Sequence, residues 1–171
     1  MPDEPGDILL NRLRSDYAAA LGSAIAAWAY FEFRIDELIW ELARVEQDVG
    51  ACLTSNYGTV AQKFDALFAI ARLVKVDEKH LNQLKKIRLK ADGHAQSRNR
   101  IVHDPWFFGS ESRIHYRLQK TAKSRLDFSF KPVSIEHLKT LEREFVALTH
   151  SFDAWRHEVL QEFYALPQTS Q

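Results

Sequence analysis

The chain has 171 residues, a length typical of one domain, and its one cysteine, Cys52, excludes an intrachain disulfide and a cysteine-based zinc site. Glycine (6) and proline (5) are scarce, which predicts long helices and argues against a sandwich or a doubly wound fold. Lysine and arginine (23) balance aspartate and glutamate (23), a neutral total that argues against nucleic acid until the charges are located.

Apolar residues three and four apart predict one long first helix, or two helices in line, from Asp7 to about Gln47. Gly22 and Ser23 are the one place where we expect it to bend. Residues 51–58 are predicted as a loop, and the next helix is predicted from about Thr59 to Val74. A third helix should begin after the N-cap Asp77 and end near His103, because Pro105 disfavours helix at the residue before it.

Alternating apolar and polar residues within 106–133 predict a β-hairpin joined by a turn at 121–124. An isolated hairpin is marginal in water, so we expect its apolar face to lie on the helices. That face comprises Ile114, Tyr116, Leu118, Leu126, Phe128 and Phe130.

The last helix should begin after Ser134, and residues 165–171 should form a polar, frayed tail. The sequence thus predicts an all-α fold: one domain over 1–171, built as a four-helix bundle with a long first helix and a hairpin inserted between the third and fourth helices.

The charges divide the chain into two parts of opposite sign. Residues 79–131 hold 13 basic and four acidic side chains, a net charge of +9, and the remainder carries −9. Such asymmetry indicates an anionic partner, although a basic surface that pairs with an acidic surface of the same fold explains it equally well.

The start of the chain is acidic, unlike a signal peptide, and its longest uncharged run, Tyr17 to Phe31, is 15 residues long. A membrane span needs about 20. Together with the single cysteine, this predicts a cytoplasmic protein with no membrane contact.

The third helix places an arginine among apolar residues. Its inward positions, set by three- and four-residue spacing, include Arg98. A buried guanidinium is costly unless it is paired, and a structural ion pair with Glu32 or Asp36 of the first helix satisfies it. The other inward positions are Leu84, Ile87, Ala91, His94, Ala95 and Val102.

The residues that follow give the arginine a second interpretation. Arg98-Asn99-x-x-x-His103, at the end of a helix, resembles the motif of the HEPN superfamily, the higher eukaryote and prokaryote nucleotide-binding domains. That motif is an arginine, a polar residue and, four to six residues on, a histidine. The resemblance implies a bundle of four or five helices in which two subunits bring two motifs to one composite cleft.

The resemblance further implies a metal-independent endoribonuclease, in the manner of toxins and defence effectors, with RNA, a second copy and an antitoxin or regulatory protein as partners. Histidine can transfer protons near neutral pH, and arginine offers two parallel donors to phosphoryl oxygens. Asn99 and His103 are one helical turn apart, so Asn99 could orient the imidazole or hold the phosphate.

Other residues are assigned supporting roles. His94 assists the motif or is a satisfied core histidine, and Glu32 is the predicted charge partner of Arg98. Trp106, Phe107 and Phe108 stack on bases or cover the end of the bundle. His115 and Arg117 contact RNA or form a solvated face. The predicted RNA-binding residues are Arg100, Arg113, Arg117, Lys120 and Lys123.

Two alternatives remain beside the ribonuclease: a non-catalytic HEPN-like module that binds nucleic acid or protein, and a purely structural helical dimer. No phosphate-binding loop, dinucleotide fingerprint or His-Glu-x-x-His motif is present, so neither a cofactor nor a metal is predicted.

Overall fold

The computed structural model describes residues 5–109, 114–122 and 126–165. Among them, no helix combines the length and the apolar character that a membrane crossing requires. In chain order the elements are α1 (Pro5–Ala43), α2 (Gln47–Thr54), α3 (Val60–Leu73), α4 (Glu78–His103), β1 (Trp106–Gly109), β2 (Ile114–Ala122), β3 (Leu126–Val133) and α5 (Ile135–Ala165). The described part of the chain is therefore mostly helical, as predicted, with a small antiparallel sheet in the order β1-β2-β3.

The first helix is long but ends at Ala43, four residues before the predicted end. Arg44 adopts a left-handed backbone conformation (φ 54°), which stops the α-helix. The chain continues as helix through Gly22 and Ser23. The loop predicted at 51–58 is wrong in its first half, because α2 occupies Gln47–Thr54.

Local capping signals locate α3 and α4 well. The Thr59 side chain accepts a hydrogen bond from the Gln62 backbone N–H, and the Gln62 side chain accepts one from the Thr59 backbone N–H. This reciprocal capping box satisfies two of the donors that a helix start leaves free. At α4, the Asp77 carboxylate accepts a hydrogen bond from the Lys79 N–H at 2.6 Å, as expected of the predicted N-cap.

The chain divides into two compact units. Unit 1 comprises the described residues of Met1–Trp28 and Gln96–Phe145, and unit 2 those of Ala29–Ala95 and Val146–Gln171. In unit 1 the rings of Trp28 and Phe145 meet edge to face, with centroids 5.1 Å apart. In unit 2 the Phe31 ring contacts Phe64 and Phe152. All five rings are buried, so each unit has its own aromatic core.

The sheet belongs to unit 1 and has one strand more than the predicted hairpin. In antiparallel strands, directly opposed side chains lie on the same face. Trp106 pairs with Arg117, and His115 pairs with both Phe108 and Val133, so these residues share one face, the inner face. The outer face carries Phe107, Ile114, Tyr116, Leu118, Lys120, Phe128 and Phe130.

The inner face packs on the helices, which corrects the predicted orientation of the hairpin. The His115 ring stacks on Tyr17 of α1 at 3.8 Å, and the Tyr17 hydroxyl donates to the Val133 carbonyl at 2.8 Å. The predicted orientation was based on the two strands of the hairpin alone, which correspond to β2 and β3. Strand β1 adds Trp106 and Phe108, both half-buried, to the inner face, whereas on the outer face Leu118 is the one buried side chain among the described residues.

Candidate functional site

The three motif residues lie in the last two turns of α4, in unit 1. The helix continues through His103 and then closes with a hydrogen bond from the Asp104 N–H to the Arg100 carbonyl at 3.2 Å. Pro105 follows and cannot continue the helix. Since helix carbonyls point toward this end, the basic side chains of the last turn, Arg100 and His103, interact favourably with the helix dipole.

Arg98 and Asn99 are in direct contact. The Arg98 Nη1 donates to the Asn99 Oδ1 at 3.1 Å. Arg98 is half-buried, and its Nε is a buried donor for which the described residues provide no acceptor. An unsatisfied buried donor costs about 1–3 kcal/mol, so this guanidinium retains an unmet demand for an acceptor.

Asn99 and His103 are both exposed, and they lie one helical turn apart on the same side of α4. Arg98 and His103 do not share a side. At 100° per residue, the five steps between them place their side chains about 140° apart on a regular helix. One copy of α4 therefore brings Asn99 next to each of the other two, without presenting Arg98 and His103 together.

Strand β2 is joined to the end of α4 by two polar contacts. The Arg100 Nη1 donates to the Gln119 Oε1 at 2.9 Å. The Arg117 Nη1 lies 3.1 Å from the Asp104 Oδ2, and these side chains are only 13% and 21% exposed. Burial lowers the pKa of Arg117, the nearby Asp104 carboxylate raises it, and Arg100 lowers it. Arg117 thus forms an ion pair with Asp104 on the inner face of the sheet.

Buried polar atoms without hydrogen-bond partners concentrate in the same unit. The described residues contain six such side-chain atoms, and only Asp36 Oδ1 lies in unit 2. Asp104 Oδ2 is among the others because its contact with Arg117 lacks hydrogen-bond alignment. Native proteins leave few such atoms, and they mark strained or functional regions. The five in unit 1 are Arg98 Nε, Asp104 Oδ2, His115 Nδ1, Arg117 Nε and Ser129 Oγ.

The supporting residues predicted for the motif lie in unit 2. Glu32 and His94 are both half-buried, and their roles toward Arg98 stay predictions. Asp36, the other acidic residue considered for Arg98, pairs with Lys63 of α3. Burial raises the pKa of Asp36, and Lys63 acts in the opposite direction.

The remaining predicted RNA contacts have different environments. Lys120 is exposed on the outer face, and Arg100 is exposed but bound to Gln119. Arg113 and Lys123 fall outside the described residues, as does the predicted tail beyond Ala165.

The three aromatic residues after the motif separate onto the two faces of the sheet. Trp106 donates its indole N–H to the Ile101 carbonyl at 3.0 Å and so covers the end of α4. Phe108 is half-buried against His115, with ring centroids 4.8 Å apart. Phe107, between them, is 47% exposed. Strand β1 was not predicted, because Trp106, Phe107 and Phe108 are consecutive apolar residues without the alternation that marks the other two strands.

Sequence reasoning also missed Asp104 and Gln119, which have no signal of their own until β2 is placed beside α4. Within the described residues, no three histidine, cysteine, aspartate or glutamate side chains group as metal ligands would. Comparisons with protein-family models, with curated proteins and with solved structures found no match.

Proposed function

We propose that this protein is a metal-independent endoribonuclease of the HEPN type, with Arg98, Asn99 and His103 as its catalytic residues. One observation carries the proposal. At the end of α4, Arg98 is hydrogen-bonded to Asn99, and Asn99 lies one turn from a histidine that is open to solvent. This is the chemistry that the resemblance of the sequence to HEPN proteins implies, held on a helix rather than on a loop.

The proposed reaction is attack by the RNA 2′-hydroxyl on the adjacent phosphorus. The bond from O2′ to phosphorus forms, the bond from phosphorus to O5′ breaks, and the products carry a 2′,3′-cyclic phosphate and a 5′-hydroxyl. One His103 removes the 2′-hydroxyl proton, and a protonated histidine gives a proton to the departing O5′. The Arg98 guanidinium stabilises the negative charge of the pentacoordinate intermediate, and Asn99 orients it.

The helix geometry favours a site assembled from two copies of the chain. Because Arg98 and His103 project about 140° apart on one helix, a single motif offers the phosphate either the guanidinium or the imidazole. Two motifs facing a common groove supply two histidines, one as base and one as acid. The phosphate of an RNA bound in that groove would in turn be an acceptor for the Arg98 Nε, which has none among the described residues.

The test is cleavage of RNA in the presence of EDTA, with analysis of the product ends. His103→Ala should reduce the rate about 10²- to 10⁴-fold, because it removes a proton-transfer group. Arg98→Lys should also lose most activity, because lysine keeps the charge but not the paired donors. His150→Ala, at an exposed position on α5, is the matched control and should cleave like the unaltered protein.

Loss of activity on chelation, or 3′-hydroxyl products, would contradict this mechanism. RNA binding that is retained without any cleavage would instead identify the non-catalytic binding module. A chain that neither binds nor cleaves RNA would contradict the ribonuclease and leave the protein-binding module and the structural helical dimer.

A further inference from the structure

The outer face of the sheet is unusual because it exposes aromatic rings to solvent. Phe107, Phe128 and Phe130 are 47%, 58% and 55% exposed. They stand on the first and third strands, and the Phe107 and Phe130 rings meet edge to face with centroids 5.5 Å apart. Exposed apolar groups that are contiguous, rather than scattered singly, mark binding sites.

We propose that this outer face is a stacking site for the unpaired bases of a single-stranded RNA. Phe107, Phe128 and Phe130 provide the ring surfaces, and Lys120 provides a backbone contact. This deepens the proposed function, because it names unpaired RNA as the substrate that reaches the α4 motif. An aromatic face stacks with every base, which makes such a site tolerant of sequence.

The spacing of the rings suits consecutive nucleotides. Phe128 and Phe130 are two residues apart on β3, so their side chains emerge on the same face about 6.6 Å apart. Lys120 lies directly opposite Phe128 on β2 and is exposed, so the two side chains emerge next to each other on the outer face. Ring and cation together match a base and its phosphate.

Charge favours an RNA strand over a second copy of the chain as the occupant. Among the described residues of the outer face, Lys120 is the one charged side chain, and none is acidic. A two-fold interface brings the same patch of both copies together, so Lys120 of one copy would lie in the same interface as Lys120 of the other, and like charges repel. A polyanion is attracted to Lys120 instead, with counterion release and a dependence on salt.

The sheet is close to the motif along the chain. Phe107 follows His103 by four residues, so their Cα atoms are at most about 14 Å apart. The Arg100–Gln119 and Arg117–Asp104 contacts hold β2 against the end of α4 on the opposite face of the sheet. Since Phe107 is on the edge strand β1 and this close to His103, an RNA strand that leaves the outer face around that edge would bring its next nucleotides to the α4 motif.

The experiment measures binding without cleavage. The probe is a short fluorescent oligouridylate with 2′-O-methyl riboses, which lacks the attacking hydroxyl, and the readout is anisotropy. Phe128→Ala and Phe130→Ala should each weaken binding about tenfold, since each removes one base stack. Phe130→Tyr should retain affinity, and Phe130→Leu should lose it, because stacking needs the ring rather than apolar area alone.

Leu73→Ala is the matched control, because Leu73 is 80% exposed on α3 of unit 2, and it should bind like the unaltered chain. Melting temperatures identify any variant that weakens the fold, and affinity is compared only among variants that melt normally. Equal affinity of Phe130→Leu and the unaltered chain would overturn the proposal. So would conversion of a dimer to a monomer by Phe128→Ala, which would identify the face as a subunit interface.

The two proposals fail separately. If the ring variants lose binding while His103→Ala still cleaves, the stacking site stands and the catalytic assignment is wrong. If His103→Ala abolishes cleavage while the ring variants bind normally, the catalytic assignment stands and the stacking site is wrong.

Discussion

A single glycine explains why α2 packs as it does. Gly50 is buried in that helix, directly against the Trp40 indole. The indole N–H donates to the Thr54 hydroxyl at 3.2 Å, and that hydroxyl donates to the Gly50 carbonyl at 3.2 Å. Glycine usually destabilises a helix interior, but here the absence of a side chain allows close approach of the ring.

Gly50→Ala should therefore destabilise the fold. The added methyl group would overlap the Trp40 ring, and overpacking of this kind costs about 1–3 kcal/mol. For a chain of this length each kcal/mol lowers the melting temperature by about 2–4 °C. The matched control is Gly22→Ala in α1, where an added Cβ meets no atom within 4 Å. That change should stabilise the helix by about 0.5–1 kcal/mol, and Gly50→Ala melting at or above the unaltered chain would contradict the packing.

At the scale of elements, the inner face of the sheet carries a desolvated histidine. The His115 ring lies against Tyr17 and Phe108, and its Nδ1 is buried with no hydrogen-bond partner in the described structure. Burial lowers the pKa of His115, and the positive charge of Arg14, which lies over the Phe108 ring, lowers it further. The sheet is thus attached to α1 through an imidazole whose protonation the folded structure disfavours.

This attachment predicts a pH dependence of stability. The unfolded chain binds a proton at His115 below about pH 6.5, whereas the folded chain resists it, so the free energy of unfolding falls as the pH drops through that value. His115→Phe keeps the ring contacts and removes the proton site. In denaturant titrations, the free energy of unfolding of His115→Phe relative to that of the unaltered chain should increase as the pH is lowered from 7.5 to 5.5.

The control for this measurement is His150→Phe, which makes the same substitution at an exposed histidine of α5. A difference between His115→Phe and the unaltered chain that stays constant with pH would contradict desolvation of His115.

At the scale of the whole molecule, the net charge of zero does not show which charged side chains pair with one another. In unit 2, acidic residues of α1 pair with basic residues outside 79–131: Glu41 with Arg156, and Asp36 with Lys63. Arg88 shows the opposite case, since it pairs with Asp65. The Arg88–Asp65 pair, which joins residues 79–131 to the acidic remainder, therefore accounts for part of the charge asymmetry, and exposed basic residues such as Lys120 are available to an anionic partner.

The chain should form a two-fold homodimer. With 39 residues, α1 is about 58 Å long, more than a small helical fold is expected to cover by itself. Light scattering at micromolar concentration should give twice the mass of the chain. The melting temperature should rise with chain concentration, because unfolding then includes dissociation. A monomer whose melting temperature is independent of concentration would contradict both the dimer and the composite cleft.

Local sequence signals were sufficient for most elements. The limits of α3 and α4 follow from capping residues and from Pro105, which act within one turn of the backbone. The position of Arg98, Asn99 and His103 at a helix end was predicted in the same way. The error at Gln47–Thr54 arose because its glycine and polar residues are typical of a loop, whereas the helix there depends on Trp40, ten residues before Gly50.

The sequence by itself determined a mostly helical chain, two alternating strands and a motif at the end of α4, since periodicity and capping depend on near neighbours. Tertiary structure decided which face of the sheet is buried, because that depends on the apolar area β1 adds and on contacts with α1. It also paired Arg117 with Asp104 and exposed Phe128 and Phe130. These outcomes depend on contacts between residues that are far apart in the sequence, and a local sequence pattern contains no information on such contacts.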